Sequence, residues 1–283
     1  MSSTIRTLEG SNVTVTSRRT SKILNLSPDG TSSRDSEERV TLHYAAQTAD
    51  AERFKHILEL DNSLIDCQDR NGYSYTPLLI ATMTGNTSVM KQLIENGAQI
   101  NHLDKDKHSA VHWAVVCGQL EALIMLLDNG AKVDFADNQG AQAIHYVTAT
   151  EGISRERSEA ILHVLLKHDA KANARDVDGR SPILWAASNG NLEAIISIAQ
   201  AGGDMYVVDR DRLNIIHCAA SHGHIHIIEY AVNCLDSTIL NSVDRNGDTP
   251  LFYAVTLGHN DCARLLLLNG ADANHQVREL INS

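Results

Sequence analysis

An all-α fold, a solenoid of about seven helix-turn-helix repeats with projecting β-turn fingers, is what this sequence predicts, on three observations. The first is a recurring phrase. "DTPLFYAVTLGHNDCARLLLLNGADAN" (248–274), "HSAVHWAVVCGQLEALIMLLDNGAKVD" (108–134) and "RSPILWAASNGNLEAIISIAQAGGD" (180–204) run through the same events: a small polar residue, an apolar pair, Ala, Gly, then a Leu/Ile-rich run. The second is the period. Asp69, Asp104, Asp137, Asp176, Asp209 and Asp244 open successive units in steps of 35, 33, 39, 33 and 35 residues, and a fixed period in the thirties marks stacked supersecondary units. The third is punctuation, with hydroxyl and proline residues where helices should start and glycines where they should stop.

The elements follow in order along the chain. The first copy, "RVTLHYAAQTADAERFKHILELDNSLIDCQD", lacks the proline and the Gly-Ala close, which suits a terminal capping unit. First helices begin at Thr76-Pro77, Ser181-Pro182 and Thr249-Pro250, where the hydroxyl can cap orphan N–H groups and Pro at the first helical position loses no needed donor. They should stop near Gly85, Gly118, Gly190, Gly223 or Gly258, since Gly tolerates the left-handed conformation. Second helices, exemplified by Leu265 to Leu268, close at Gly97, Gly130 and Gly270. Asp-x-x-Gly stretches (Asp69 to Gly72, Asp137 to Gly140, Asp176 to Gly179, Asp244 to Gly247) form the projecting turns. Lys107 and Arg212 stand where the turn Gly belongs, so those two turns are expected to differ in shape. The second copy's turn is two residues longer and carries Tyr73 and Tyr75. The fourth copy, "AQAIHYVTATEGISRERSEAILHVLL", has six extra residues between its helices, so Gly152 to Glu159 forms either a protruding loop or an early helical turn capped by Ser154.

Taken together, the Asp-x-x-Gly-x-Thr-Pro-Leu-His-x-Ala-Ala pattern and the Gly-Ala-Asp-x-Asn close resemble the ankyrin-repeat family across residues 38–276. The resemblance is specific for fold and far less so for function, because the fold hosts many roles. Around that domain, residues 1–37 are Ser/Thr-rich and short of apolar residues, which predicts a disordered tail. Residues 277–283, "VRELINS", form a short C-terminal tail that either caps the last helices or marks a longer array.

Composition bounds the function. No apolar run approaches eighteen residues and no leader has a basic start and apolar middle, which predicts a soluble, cytoplasmic protein without direct membrane insertion. Cys67, Cys117, Cys218, Cys234 and Cys262 are odd in number and scattered, so reduced, half-buried thiols are expected. Of fourteen histidines, His43, His112, His145 and His217 take the His position of the repeat pattern, where the resemblance implies a ring bonded to neighbouring backbone. "HGHIH" (His222, His224, His226) is read as a loop entering a helix, where residues two apart diverge by about 200°. No Cys or carboxylate is spaced to complete a zinc site. Nucleophile, phosphate-loop and metalloprotease motifs are absent, so neither cofactor nor intrinsic catalysis is expected.

What remains is binding. The resemblance implies a concave groove formed by turns and first helices. Net charge is −11, yet Arg70, Lys105, Lys107, Arg180, Arg210, Arg212 and Arg245 recur on the turns, while Glu52, Glu95, Glu121, Glu193, Glu229 and Asp261 lie on or near the second helices. That polarity suits an acidic peptide or protein surface steered by complementarity. Nucleic acid is a poor partner, because the overall field repels phosphate and no stacking platform is evident. Position ten of each copy reads Tyr44, Ile80, Trp113, Tyr146, Trp185, Cys218 and Tyr253. Its aromatics, with Val116, Cys117 and Leu257 three or four residues on, are expected to anchor a partner from the groove.

Two modifications are expected. "RRTS" resembles a basophilic kinase site at Ser21, and "SP" at Ser27-Pro28 resembles a proline-directed one. Asn274, with Asp272 two residues before it and Leu266 eight before it, resembles a site of asparagine hydroxylation in ankyrin turns. The function expected is a non-catalytic adaptor or scaffold. The alternatives are the targeting domain of a larger enzyme, such as a ubiquitin ligase or lipase, and a membrane-skeleton linker. The repeats leave the oligomeric state open.

Overall fold

The computed structural model describes residues 42–48, 50–69, 72–150 and 152–275. The N-terminal tail, Ser21, Arg70 and the closing segment therefore fall outside the described residues. Those described are all-helical, with fourteen α-helices and no strand among them beyond one isolated bridge, Ala136 to Gln142. They divide into two compact units, with the boundary between Ala170 and Lys171.

The first unit holds α1 (42–48), α2 (Ala51–Leu60), α3 (Pro77–Thr84), α4 (Thr87–Glu95), α5 (Ala110–Val116), α6 (Leu120–Asp128), α7 (Ala143–Val147) and α8 (Arg155–Lys167). First helices α3, α5 and α7 pack side by side, as do second helices α2, α4, α6 and α8. The second unit holds α9 (Pro182–Ser188), α10 (Leu192–Gln200), α11 (Ile215–His222), α12 (Ile225–Cys234), α13 (Pro250–Thr256) and α14 (Asn260–Leu268). Here α9 packs on α11, and α11 on α13.

Helix starts follow the local chemistry. Thr76, Ser181 and Thr249 are N-caps whose hydroxyls accept from Leu79, Leu184 and Phe252 N–H, with Pro in the first turn. Gly85 and Gly223 end α3 and α11 in the left-handed conformation, at φ 71° and 77°. The fourth copy's extra residues resolve as the early helical turn: Ser154 caps α8, accepting from Arg157 N–H, and α8 runs 13 residues.

Two recurring bonds fasten one helix pair to the next. The residue capping a second helix reaches back to a carbonyl near the end of the first helix one repeat earlier: Asn86 to Ala46, Gln119 to Met83, His224 to Ser188 and His259 to Ser221, at 3.0–3.2 Å. In the fourth copy Arg157 does this work from inside α8, donating to Gly118 O and pairing with Glu121 at 2.6 Å. The pattern histidines supply the second bond, with Nε2 of His43, His112 and His217 against the carbonyls of Tyr75, Ala141 and Asp248 at 2.9, 3.2 and 3.3 Å.

"HGHIH" corrects the expected divergence. His222 ends α11, His224 caps α12 and His226 lies inside it, so the segment turns a corner and the rings line up, with centroids 6.0 Å apart at each step. Each ring is already engaged: His224 and His226 hold the carbonyls of Ser188 and Gly190, and His222 Nδ1 lies 3.0 Å from Cys218 O. All five cysteines are free thiols, Cys218 and Cys262 buried and Cys234 exposed. Burial pushes the thiols of Cys117 and Cys218 up to about 12. No described helix is long and apolar enough to cross a membrane.

Candidate functional site

Five fingers are organised alike by their opening aspartate. One carboxylate oxygen, Oδ1, accepts the backbone N–H groups two and four residues on. Asp104 receives Asp106 and His108, Asp137 receives Gln139 and Ala141, Asp176 receives Asp178 and Arg180, Asp209 receives Asp211 and Leu213, and Asp244 receives Asn246 and Asp248, all at 2.7–3.0 Å. Two N–H donors on one ionised oxygen are charge-assisted bonds, so the loop closes firmly on its own side chain. Adjacent fingers are then tied tip to tip through the main chain: Lys105 N–H to Tyr73 O, Asn138 to Asp106, Arg210 to Asp178 and Arg245 to Asp211, at 2.8–3.0 Å.

The second oxygen explains the aromatics. Nine residues after the aspartate, Trp113 and Trp185 donate their indole N–H to Oδ2 of Asp104 and Asp176 at 3.0 and 2.9 Å. Tyr146 and Tyr253 donate their hydroxyls to Asp137 and Asp244, the latter at 2.8 Å. This overturns the expected groove anchors. Trp113, Tyr146 and Trp185 are 1%, 2% and 6% exposed, because each must lie under its finger to reach the carboxylate. Tyr75, expected on the turn surface, is 3% exposed: its N–H donates to Asp69 at 2.7 Å, its carbonyl receives His43, and its ring meets Trp113 edge-on at 5.8 Å. Tyr73 stacks on Tyr75 at 5.4 Å and stays half-exposed, as do Val116 and Tyr253.

The finger cations separate into two kinds. Arg180 is half-buried and committed, with Nε 2.8 Å from Asp176 and a terminal nitrogen 3.1 Å from Asp178. Lys105 and Lys107 in the first unit, and Arg210, Arg212 and Arg245 in the second, are exposed. Lys107 and Arg212 take φ 66°, the left-handed conformation of the turn glycines Gly72, Gly140, Gly179 and Gly247 at 72–89°. Their turns therefore keep the common shape, with a charged side chain displayed where glycine is the unstrained choice.

Sequence reasoning missed one residue outright. His108 is buried between two consecutive fingers, with Nδ1 3.3 Å from Asp104 Oδ2 and Nε2 3.5 Å from Asp137 Oδ2. Burial works against its charge, but the two carboxylates outweigh burial and raise the imidazole to about 9. His112 beside it is held down to about 4, by burial first and by the charge on His108 second. The available signal was the four-residue Asp104-His108 spacing, at a position where other fingers carry Ala141, Arg180, Leu213 or Asp248.

Asn274 is exposed, and its N–H donates to Asp272 at 2.8 Å. Its counterparts are clasps. Asn101 holds Gly130 O and Lys132 N–H, and Asn173 holds Gly202 O and Asp204 N–H, so the carboxamide in these turns grips the following pair.

Family models described as ankyrin repeats in three copies match residues 42–137 and 184–277, and one described as many copies matches 149–196. Among known proteins the chain is similar to a transient receptor potential cation channel subfamily A member 1 homolog of Caenorhabditis elegans, 24% identical over 209 residues. It is similar to the human protein of that subfamily, 27% identical over 212 residues, and to human inversin, 25% identical over 224. These alignments cover 74%, 75% and 77% of this chain but only 16%, 16% and 20% of the relatives.

Proposed function

This chain belongs to the ankyrin-repeat family, and on that premise we propose that it is a non-catalytic protein-binding module that holds a partner protein or peptide along its finger turns. Ankyrin repeats are in general protein–protein interaction modules. The observation that carries the reading is the set of exposed finger cations. Arg210, Arg212 and Arg245 have no ion-pair partner among the described residues, and the main-chain ladder holds their two fingers together. Unpaired cations facing an acidic partner surface steer its approach, which favours on-rate and selectivity. Lys105, Lys107 and Tyr73 extend the same chemistry on the first unit, and Val116 and Tyr253 offer half-open apolar contact. Such a module works as an adaptor or scaffold in the cytoplasm, where its five free thiols stay reduced. Phosphorylation at Ser21 and hydroxylation at Asn274 are its proposed modifications.

A second reading has its own support. Because the chain spans a fifth or less of these relatives' lengths, the binding module also suits a targeting segment within a larger protein.

Affinity capture from cell lysate tests the first reading, with the intact chain beside a Tyr73→Ala, Arg210→Glu, Arg212→Glu variant matched for helicity and melting. Loss of a small set of proteins from the variant alone supports the finger edge. Identical sets on both baits remove it.

A further inference from the structure

One finger of the second unit is chemically incomplete. Asp176 fills Oδ2 with Trp185 Nε1 at 2.9 Å and Arg180 Nε at 2.8 Å, and Asp244 fills it with the Tyr253 hydroxyl at 2.8 Å and Asn246 Nδ2 at 3.3 Å. Asp209, between them in sequence, has the same two backbone N–H bonds on Oδ1 but no hydrogen bond to Oδ2 among the described residues. The position that supplies the indole or phenol elsewhere is Cys218, whose buried thiol is a weak donor. The position that supplies Arg180 is here Leu213. Asp209 is nonetheless only 8% exposed. Burial pushes its carboxyl up to about 6, which supports a carboxylate short of donors.

We propose that Asp209 Oδ2 receives the N–H or O–H of a tryptophan or tyrosine side chain presented by the protein partner, replacing in trans the donor that Cys218 cannot supply. The inference rests on the finger edge being the partner surface. The chemistry of the occupant comes from the neighbouring fingers, where indole and phenol donors close this same bond. Exposed Arg210 and Arg212 flank the site and Arg180 lies within electrostatic reach beside Asp211, so a lysine or arginine from the partner gains less there than at a bare carboxylate, which favours a neutral donor. An aromatic ring is compatible with those guanidinium groups, as Arg180 over the Trp185 ring at 5.4 Å already shows. Exposed Val208 next to Asp209 and exposed Val177 on the preceding finger add apolar surface. Tryptophan and tyrosine are also the residues that most often dominate the binding energy of protein interfaces.

Carboxyl-detected NMR on the intact chain, titrated with N-acetyl-tryptophanamide and separately with N-acetyl-phenylalaninamide, tests the proposal. The tryptophan probe should move the Asp209 carboxyl resonance, lower its titration midpoint and bind about tenfold more tightly than the phenylalanine probe, the worth of one charge-assisted hydrogen bond. Cys218→Tyr, which supplies the internal donor of the neighbouring fingers, should abolish the response. Leu213→Arg, copying Arg180, serves if the first variant does not fold, and the two-probe comparison on the unaltered chain decides if neither does. No movement of Asp209, equal affinity for both probes, or an unchanged response in a folded variant overturns the proposal. Protein capture lost on Arg210→Glu and Arg212→Glu together with a silent Asp209 would sink this inference and leave the finger reading standing. Capture unaffected by those charges would sink the reading itself.

Discussion

His108 carries the largest single-residue consequence, because it is one cation buried between two carboxylates, Asp104 and Asp137. His108→Leu leaves both acids buried without their counter-charge, and removing one partner of such a pair costs about 3 kcal/mol. Urea unfolding at pH 7 should show that loss. The pH dependence has a fixed sign: the folded value of about 9 lies above the ordinary 6.5, so the stabilisation is complete below 6.5 and fades as pH rises through 9. The stability gap between the intact chain and His108→Gln should therefore narrow at pH 10. Asp209 has the same sign and the opposite meaning at neutral pH. Its raised carboxyl is at ease protonated, so ionisation above about 6 burdens the folded state. Asp209→Asn keeps an Oδ1 acceptor for Asp211 and Leu213, and should raise the melting temperature at pH 7.5 but much less at pH 4.5. Asp176→Asn, which strips the charge facing Arg180 and Trp185, should lower melting at both. Beyond the four-residue spacing of Asp104 and His108, little of this was legible in the sequence, because the partners of these side chains lie across a finger or on the next one. Trp113, Tyr146 and Trp185 were misread as groove anchors for the same reason. Helical spacing locates a ring but does not reveal that an aspartate nine residues earlier claims its polar tip.

Elements were read better, since their signals are local. Thr76, Ser181 and Thr249 cap their helices within a three-residue reach, so the residues that announce the element also build it. Thr249→Ala should cost about 1 kcal/mol in thermal unfolding of the second unit. Ser154 was one of two readings left open by the sequence, and the cap bond to Arg157 resolves it as helix. The finger turns show where local reasoning stops. Lys107 and Arg212 promised altered turns by the loss of glycine, yet the aspartate bonds and the tip ladder hold them at φ 66°. Holding a residue with a Cβ there costs about 1 kcal/mol. Lys107→Gly and Arg212→Gly should each gain stability of that order in chemical denaturation, while Arg212→Gly weakens partner capture. A gain in stability with capture unchanged would mean the cation at that tip has no binding role.

At the scale of the whole molecule, the repeat period made the fold legible, because each helix pair buries its apolar side only against neighbouring pairs. Function is less legible, since a net charge of −11 says little about exposed cations on the turns, two in the first unit and three in the second. Binding through them should weaken as salt rises, because exposed charges are screened over about 10 Å at 0.1 M ionic strength. The most direct measurement of the central claim is hydrogen–deuterium exchange of the intact chain, alone and with a captured partner. Slower exchange at residues 105–108, 209–213 and 244–248 is the predicted result. Protection confined to the exposed sides of α10, α12 and α14, with the finger amides unchanged, would contradict it.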